Sequence, residues 1–193
     1  MNLGGVPRLV WVLAAGRFVS STTSFLMLFL TLYLTGPRDL PVTTAGLIAG
    51  GYGVGMLVGN FTGGRWGDRF GHRRTLVLCS SVAGVGVAAV PWLPVAVLAV
   101  ALPVFAYLAA TASVSNGALA ALAVARGDRR TSVAISRAAS NAGFVIGPPL
   151  GALIVAQSYD ALFVVDGLMT LAVRFAVAPL LPRDEPHVGA LAA

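Results

Sequence analysis

Residues 64–74 read Gly64-Arg65-Trp66-Gly67-Asp68-Arg69-Phe70-Gly71-His72-Arg73-Arg74, between two long apolar stretches. The chemistry is that of a helix end, a glycine able to take a left-handed turn, and a new helix opening in a cluster of cations. A short loop held on one side of a bilayer by its positive charge explains the arginines. It does not explain the offsets at which Gly64, Asp68, Arg69 and Gly71 stand. The stretches on either side decide how the loop is to be read.

The chain has 193 residues, of which 57% are hydrophobic and 10% charged, with a mean hydropathy of +0.85. A water-soluble domain usually carries about 25% charged residues, so too little charge is present to cover a globule of this size. This excludes a soluble enzyme, a nucleic-acid-binding domain and a disordered tail. The composition is that of an integral membrane protein in contact with the lipid bilayer.

A spanning helix needs about 20 mostly apolar residues, and six such stretches occur, at 9–35, 43–66, 74–93, 95–125, 131–156 and 161–182. Together they make residues 1–182 a six-helix bundle, followed by a polar tail at 183–193. Turn-forming residues separate them, among them Gly36-Pro37-Arg38-Asp39-Leu40-Pro41 and Ser158-Tyr159-Asp160. The first stretch is longer than the 7–15 residues of a signal-peptide core and has no clear cleavage site, so it is expected to remain.

All 13 basic residues are arginine, and they set the orientation. Arg8, Arg65, Arg69, Arg73, Arg74, Arg126, Arg129, Arg130 and Arg183 fall on one side of the predicted bundle, and Arg38 alone on the other. By the positive-inside rule both termini are expected in the cytoplasm. The net charge of +6 therefore reads as topogenic rather than as a nucleic-acid footprint. The single Cys79 cannot form an intrachain disulfide, and with His72 and His187 far apart no metal cluster forms. No catalytic constellation and no phosphate-cradling glycine loop is present, so neither an enzyme nor a cofactor is expected.

The loop residues Gly64, Asp68, Arg69, Gly71, His72, Arg73 and Arg74 resemble the signature loop of the major facilitator superfamily, which that family also carries after its second span. His72 stands where the first of two final basic residues is usual. On span five, Gly143-Phe144-Val145-Ile146-Gly147-Pro148-Pro149-Leu150-Gly151 resembles the family's antiporter motif, with Ala152 and Ala134 at two positions that are glycine there. The arginine-containing motif that the family usually carries on span four is absent. The resemblance implies an all-helical fold of two inverted three-helix repeats, spans 1–3 and 4–6, forming one half of a twelve-helix protein. It also implies secondary transport, with proton-coupled efflux of a small organic solute as the expected direction, in the inner (plasma) membrane of a bacterium. Asp68 is then expected to lock the cytoplasmic side. A proline inside span five removes a backbone hydrogen bond and is expected to kink that helix. The other reading is a non-transporting membrane protein, either a truncated remnant or a half that assembles with and regulates another protein.

Polar residues inside the spans mark a candidate cavity. Arg17 is costly in a bilayer unless it faces protein or water. On span one it is followed by Ser20, Ser21, Ser24 and Thr31; span four shows Tyr107, Thr111, Ser115 and Asn116; span five adds Ser136, Ser140 and Asn141. Spans one and four line the central path in the family resembled. Asp166 is the acidic candidate for a proton site, although span six packs toward the outside in relatives, and Arg174 on a similar face is expected to snorkel or pair. Glycines recur at every fourth residue on span two (Gly51, Gly55, Gly59, Gly63) and span five (Gly143, Gly147, Gly151). Such rows let helices approach closely in lipid, and they are expected to dock a second half: another copy, a separate chain or a C-terminal portion.

Overall fold

The computed structural model describes residues 7–122 and 129–181, which form helices and turns without any strand. Seven α-helices follow in order: α1 Arg8–Thr22, α2 Phe25–Thr35, α3 Val42–Phe70, α4 His72–Ala89, α5 Val95–Leu122, α6 Arg129–Val155 and α7 Tyr159–Val177. Single 3-10 turns at Val90–Trp92 and Ala178–Leu180 extend α4 and α7. The helices make six spans long and apolar enough to cross a membrane, α1 and α2 together forming the first. Phe61, Leu47 and Val145 are each at least 74% exposed, a surface that suits lipid and not water. Arg126, Arg183 and the 183–193 tail lie outside the described residues.

Two boundaries differ from expectation. The helix after the first turn region does not stop at Trp66 but continues to Phe70. At 1.5 Å per residue its 29 residues make a rod of about 43 Å, longer than the ~30 Å hydrocarbon core. Its last turns, with Arg65, Asp68 and Arg69, therefore stand clear of the apolar layer. Gly71 ends it at φ 90°, ψ 135°, a backbone conformation that a Cβ disfavours.

Span one is not continuous either; it breaks between Thr22 and Phe25. Three successive side chains bond back onto the preceding turn. The hydroxyls of Thr22, Thr23 and Ser24 donate to the carbonyls of Phe18 (2.9 Å), Val19 (3.1 Å) and Ser20 (2.7 Å). Back-bonding of this kind bends helices. The first turn of α2 is then left with free N–H groups, and Asp166 on α7 takes one of them: Leu26 N donates to its Oδ2 at 3.1 Å.

The packing has an internal symmetry. Apart from the chain neighbours α4 and α5, the most extensive contacts join α3 to α5, α1 to α6 and α4 to α7, that is, span two to four, one to five and three to six. Exchanging spans 1–3 with 4–6 maps this set onto itself. Spans one and four are three crossings apart and so run in opposite directions, which makes the two repeats inverted.

The glycine rows are the physical means of this pairing, and they point inward. A Cβ on Gly55 or Gly59 would strike the carbonyl oxygen of Pro103 or Tyr107 on α5, and Gly63 lies against Thr111. On α6, a Cβ on Gly143 would come 2.6 Å from the Phe18 oxygen and one on Gly147 2.7 Å from the Thr22 oxygen. Backbone carbonyls set over glycine Cα atoms recur on both sides of the repeat, as expected of close helix pairs. The expectation that these rows dock a second half is therefore corrected. Gly55, Gly59, Gly63, Gly143, Gly147 and Gly151 are all buried within this bundle. Gly147, Pro148 and Pro149 lie inside the helix assigned as α6.

One end of the bundle is fastened by Arg38. Its Nε donates to the Tyr33 hydroxyl (2.8 Å) and its Nη2 to the carbonyls of Val90 (3.1 Å) and Pro91 (2.6 Å). Tyr33 in turn packs edge-on against Phe163, ring centroids 4.6 Å apart.

Candidate functional site

Between the two repeats lies a cavity of about 250 Å³. Its wall is mostly apolar, from residues such as Phe105, Ala106, Ala109 and Phe144, with polar groups at a few places. Arg17 from α1 is the central one. Its Nε donates to Ser140 on α6 (3.4 Å) and its Nη1 to Ser113 on α5, while Ser21 and Ser140 share a hydrogen bond of 2.8 Å. One guanidinium thus ties spans one, four and five at the seam of the symmetry. Arg17, Ser113, Asn116 and Ser140 also face a second, more open pocket, which adds Ser136, Arg137 and Asn141.

The structure brings Arg17, Ser20, Ser21, Ser24, Asn116, Ser140 and Asp166 to the same cavity. Asn141 reaches only the second pocket. Tyr107, Thr111 and Ser115 do not line either one. The Tyr107 hydroxyl instead accepts from Thr62 on α3 at 3.2 Å. Thr111 and Ser115 are wholly buried, with hydroxyls that meet no partner, and Thr111 sits against Gly63. The stripe chosen on span four is thus the face packed on α3, and Ser113 with Asn116 is the one that meets the cavity.

Span six also differs from expectation, because Asp166 and Arg174 both face inward, each 7% exposed, and both line the cavity. Arg174 neither snorkels nor pairs: its Nε is buried with no hydrogen-bond partner. Tyr52, Asn60, Thr170 and Ser80 add to the polar wall. Thr170 stands four residues from both Asp166 and Arg174 on α7, and Tyr52 and Asn60 stand eight residues apart on α3, so a helical spacing of four was the signal that could have found these three. For Arg174 the signal was present, a charge inside an apolar run.

The Gly64–Arg74 segment forms the arginine-rich end. Asp68 is largely exposed and meets His72, Nε2 to Oδ1 3.4 Å. The His72 ring lies over Gly67, where a Cβ would collide with it. Gly71 accepts from Thr75 N (3.0 Å) and so begins α4. Arg73 donates through Nη2 to the Ala178 carbonyl at 3.1 Å, tying α4 to the end of α7. Gly64 is half-buried, and nothing lies within 4 Å of where its Cβ would be.

With these features in place, comparison with known proteins settles the kinship. The profile of the Major Facilitator Superfamily matches residues 12–193. The chain belongs to the major facilitator superfamily. Among solved structures it is similar to the proton:xylose symporter XylE bound to 6-bromo-6-deoxy-D-glucose, at a TM-score of 0.70 and 14% identity. The match covers 95% of this chain and 46% of that one, so the chain spans about half the length of this relative. At that identity the likeness concerns the fold. No curated protein matches the sequence. As a six-span member of this superfamily, the protein is an integral membrane protein.

Proposed function

We propose that this chain is one half of a secondary transporter that carries a small organic solute by alternating access, with the cavity around Arg17 as the solute path. The observation that carries this reading is the position of the cavity. It lies on the seam between two inverted repeats, and a cation joins three spans there in a wall that is mostly apolar. A buried arginine is costly in a bilayer, and a wet path on that seam is a physical reason to keep one.

Alternating access needs two bodies that rock about a site between them. The second body is a second copy, a separate chain or a further portion of the same one. The two least buried spans among the described residues are Val42–Phe70 and Arg130–Val155. Large exposed side chains such as Leu57, Phe61, Val145 and Leu153 supply the face for it, in place of the glycine rows. Efflux in exchange for protons is the direction favoured by the Gly143–Gly151 resemblance, with Asp166 as the proton-binding carboxyl. The arginine distribution supports an orientation with both termini in the cytoplasm, and the family resemblance supports a bacterial inner membrane.

The test is solute flux. Vesicles containing the chain with its partner are loaded with a pool of metabolites, and those exchanged are identified by mass spectrometry. Exchange of a defined subset, lost in Arg17→Ala, supports the reading. Passive leakage identical in both overturns it.

A further inference from the structure

Among the described residues, the charges facing the cavity are two arginines, Arg17 and Arg174, and one carboxylate, Asp166. The carboxylate is already committed to the backbone of α2 through Leu26 N. It stands eight residues before Arg174 on the same helix, about 12 Å along the axis, and the two form no ion pair. The arginines, by contrast, share a level. Gly16 on α1 lies against Val173 on α7, where a Cβ would come 3.2 Å from Val173 Cγ1, and the next residue on each helix is one of the two cations. Arg17 has hydroxyl partners on α5 and α6. Arg174, 7% exposed, has none at Nε and makes no other polar contact among the described residues. A guanidinium Nε shut off from solvent without an acceptor is expensive, so the site lacks an anion that the protein does not provide.

Resting on the transport reading above, we infer that the solute is a small organic anion, bearing a carboxylate, sulfonate or phosphate, and that Arg174 is the residue that receives this group, with Arg17 as the second cation. A planar guanidinium suits such oxygens because it can offer two parallel N–H donors. The apolar wall of Phe105, Ala109 and Phe144 takes the rest of the molecule.

The test reads the sign of the cavity with thiol reagents that differ in charge. Ser20→Cys is placed in a Cys79→Ala background, in native membranes. It is treated with methyl methanethiosulfonate, with its 2-sulfonatoethyl analogue (anionic) and with its 2-trimethylammonioethyl analogue (cationic). Rates are normalised to those of a free thiol in solution. The anionic reagent is expected to react roughly tenfold or more faster than the cationic one, because two cations line the same cavity as Ser20. Arg174→Gln should reduce that ratio several-fold, and Arg174→Lys, which keeps the charge, should preserve it. Equal rates, a preference for the cation, failure of the sulfonate where the neutral reagent reacts, or a ratio unchanged by Arg174→Gln would each overturn the inference while leaving the wet cavity standing. Failure of the neutral reagent itself would remove the cavity, and both readings with it.

Discussion

Asp166 accepts a hydrogen bond from the backbone N–H of Leu26 at 3.1 Å, across 140 residues of sequence. The carboxylate of span six thereby satisfies the first turn of α2, at the point where span one is broken. A helix N-terminus carries partial positive charge and unpaired donors, so an anion is the fitting partner. Span six is through this contact tied to the break in span one, directly beside the cavity.

Removal of that anion should be costly. A hydrogen bond to a charged group contributes about 1.5–3 kcal/mol, and Asp166→Ala is expected to lose about that much stability. Asp166→Asn, which keeps an acceptor oxygen, should lose less. Thermal unfolding in detergent measures the difference, and an alanine variant as stable as the wild type would show that the contact does not hold the break.

The inward glycine rows lead to a contrast between neighbours. Gly59→Ala puts a methyl into the Tyr107 carbonyl, whereas Gly53→Ala meets nothing within 4 Å. Overpacking of a close contact costs about 1–3 kcal/mol. Gly59→Ala and Gly143→Ala should both reduce the folded fraction on size exclusion, and Gly53→Ala should not. Equal behaviour of the three would mean that the α3–α5 and α1–α6 contacts are looser than described.

Much of this was legible in the sequence, for definite reasons. Apolar runs of spanning length show six crossings because the bilayer core admits little else, and the Gly64–Arg74 offsets carry the family. The break at Thr23 was not legible, since its cause is shared between local hydroxyl back-bonds and a carboxylate 140 residues away. The glycine rows announced close approach but not the partner, and a choice between α5 and another body is a tertiary fact. The Tyr107, Thr111, Ser115 stripe failed for the same reason. A four-residue period selects a face of a helix, not what that face meets. Ser113 stands elsewhere on α5 and is the hydroxyl that holds Arg17.

Arg38 is expected to act as a staple between the end of span one and the end of span three. Arg38→Gln loses the fork to Val90 and Pro91 along with the contact to Tyr33. A loss of about 1–3 kcal/mol follows, read as a lower melting temperature. Arg38→Lys should recover only part of it, because an ammonium cannot span three acceptors with the geometry of a guanidinium. Full recovery with lysine would reduce the staple to a point charge.

The Gly64–Arg74 segment should separate function from folding. Asp68 is largely exposed, with its Oδ1 3.4 Å from His72 Nε2, and the space above Gly64 is open. Asp68→Asn and Gly64→Leu are therefore expected to leave expression and melting temperature within about 0.5 kcal/mol of wild type. Both should lower flux several-fold if a second half closes on this end. Wild-type flux in both variants would remove the lock from the mechanism.

The central claim, that the seam cavity opens alternately to the two sides of the membrane, is tested most directly at Ser24, which lines it. A cysteine there, in a Cys79→Ala background, is treated in right-side-out and in inside-out native membrane vesicles with a membrane-impermeant maleimide. Labelling from both faces, with the balance shifted when transported solute is added, is the expected result. Labelling from neither face, or from one face alone under every condition, would contradict alternating access.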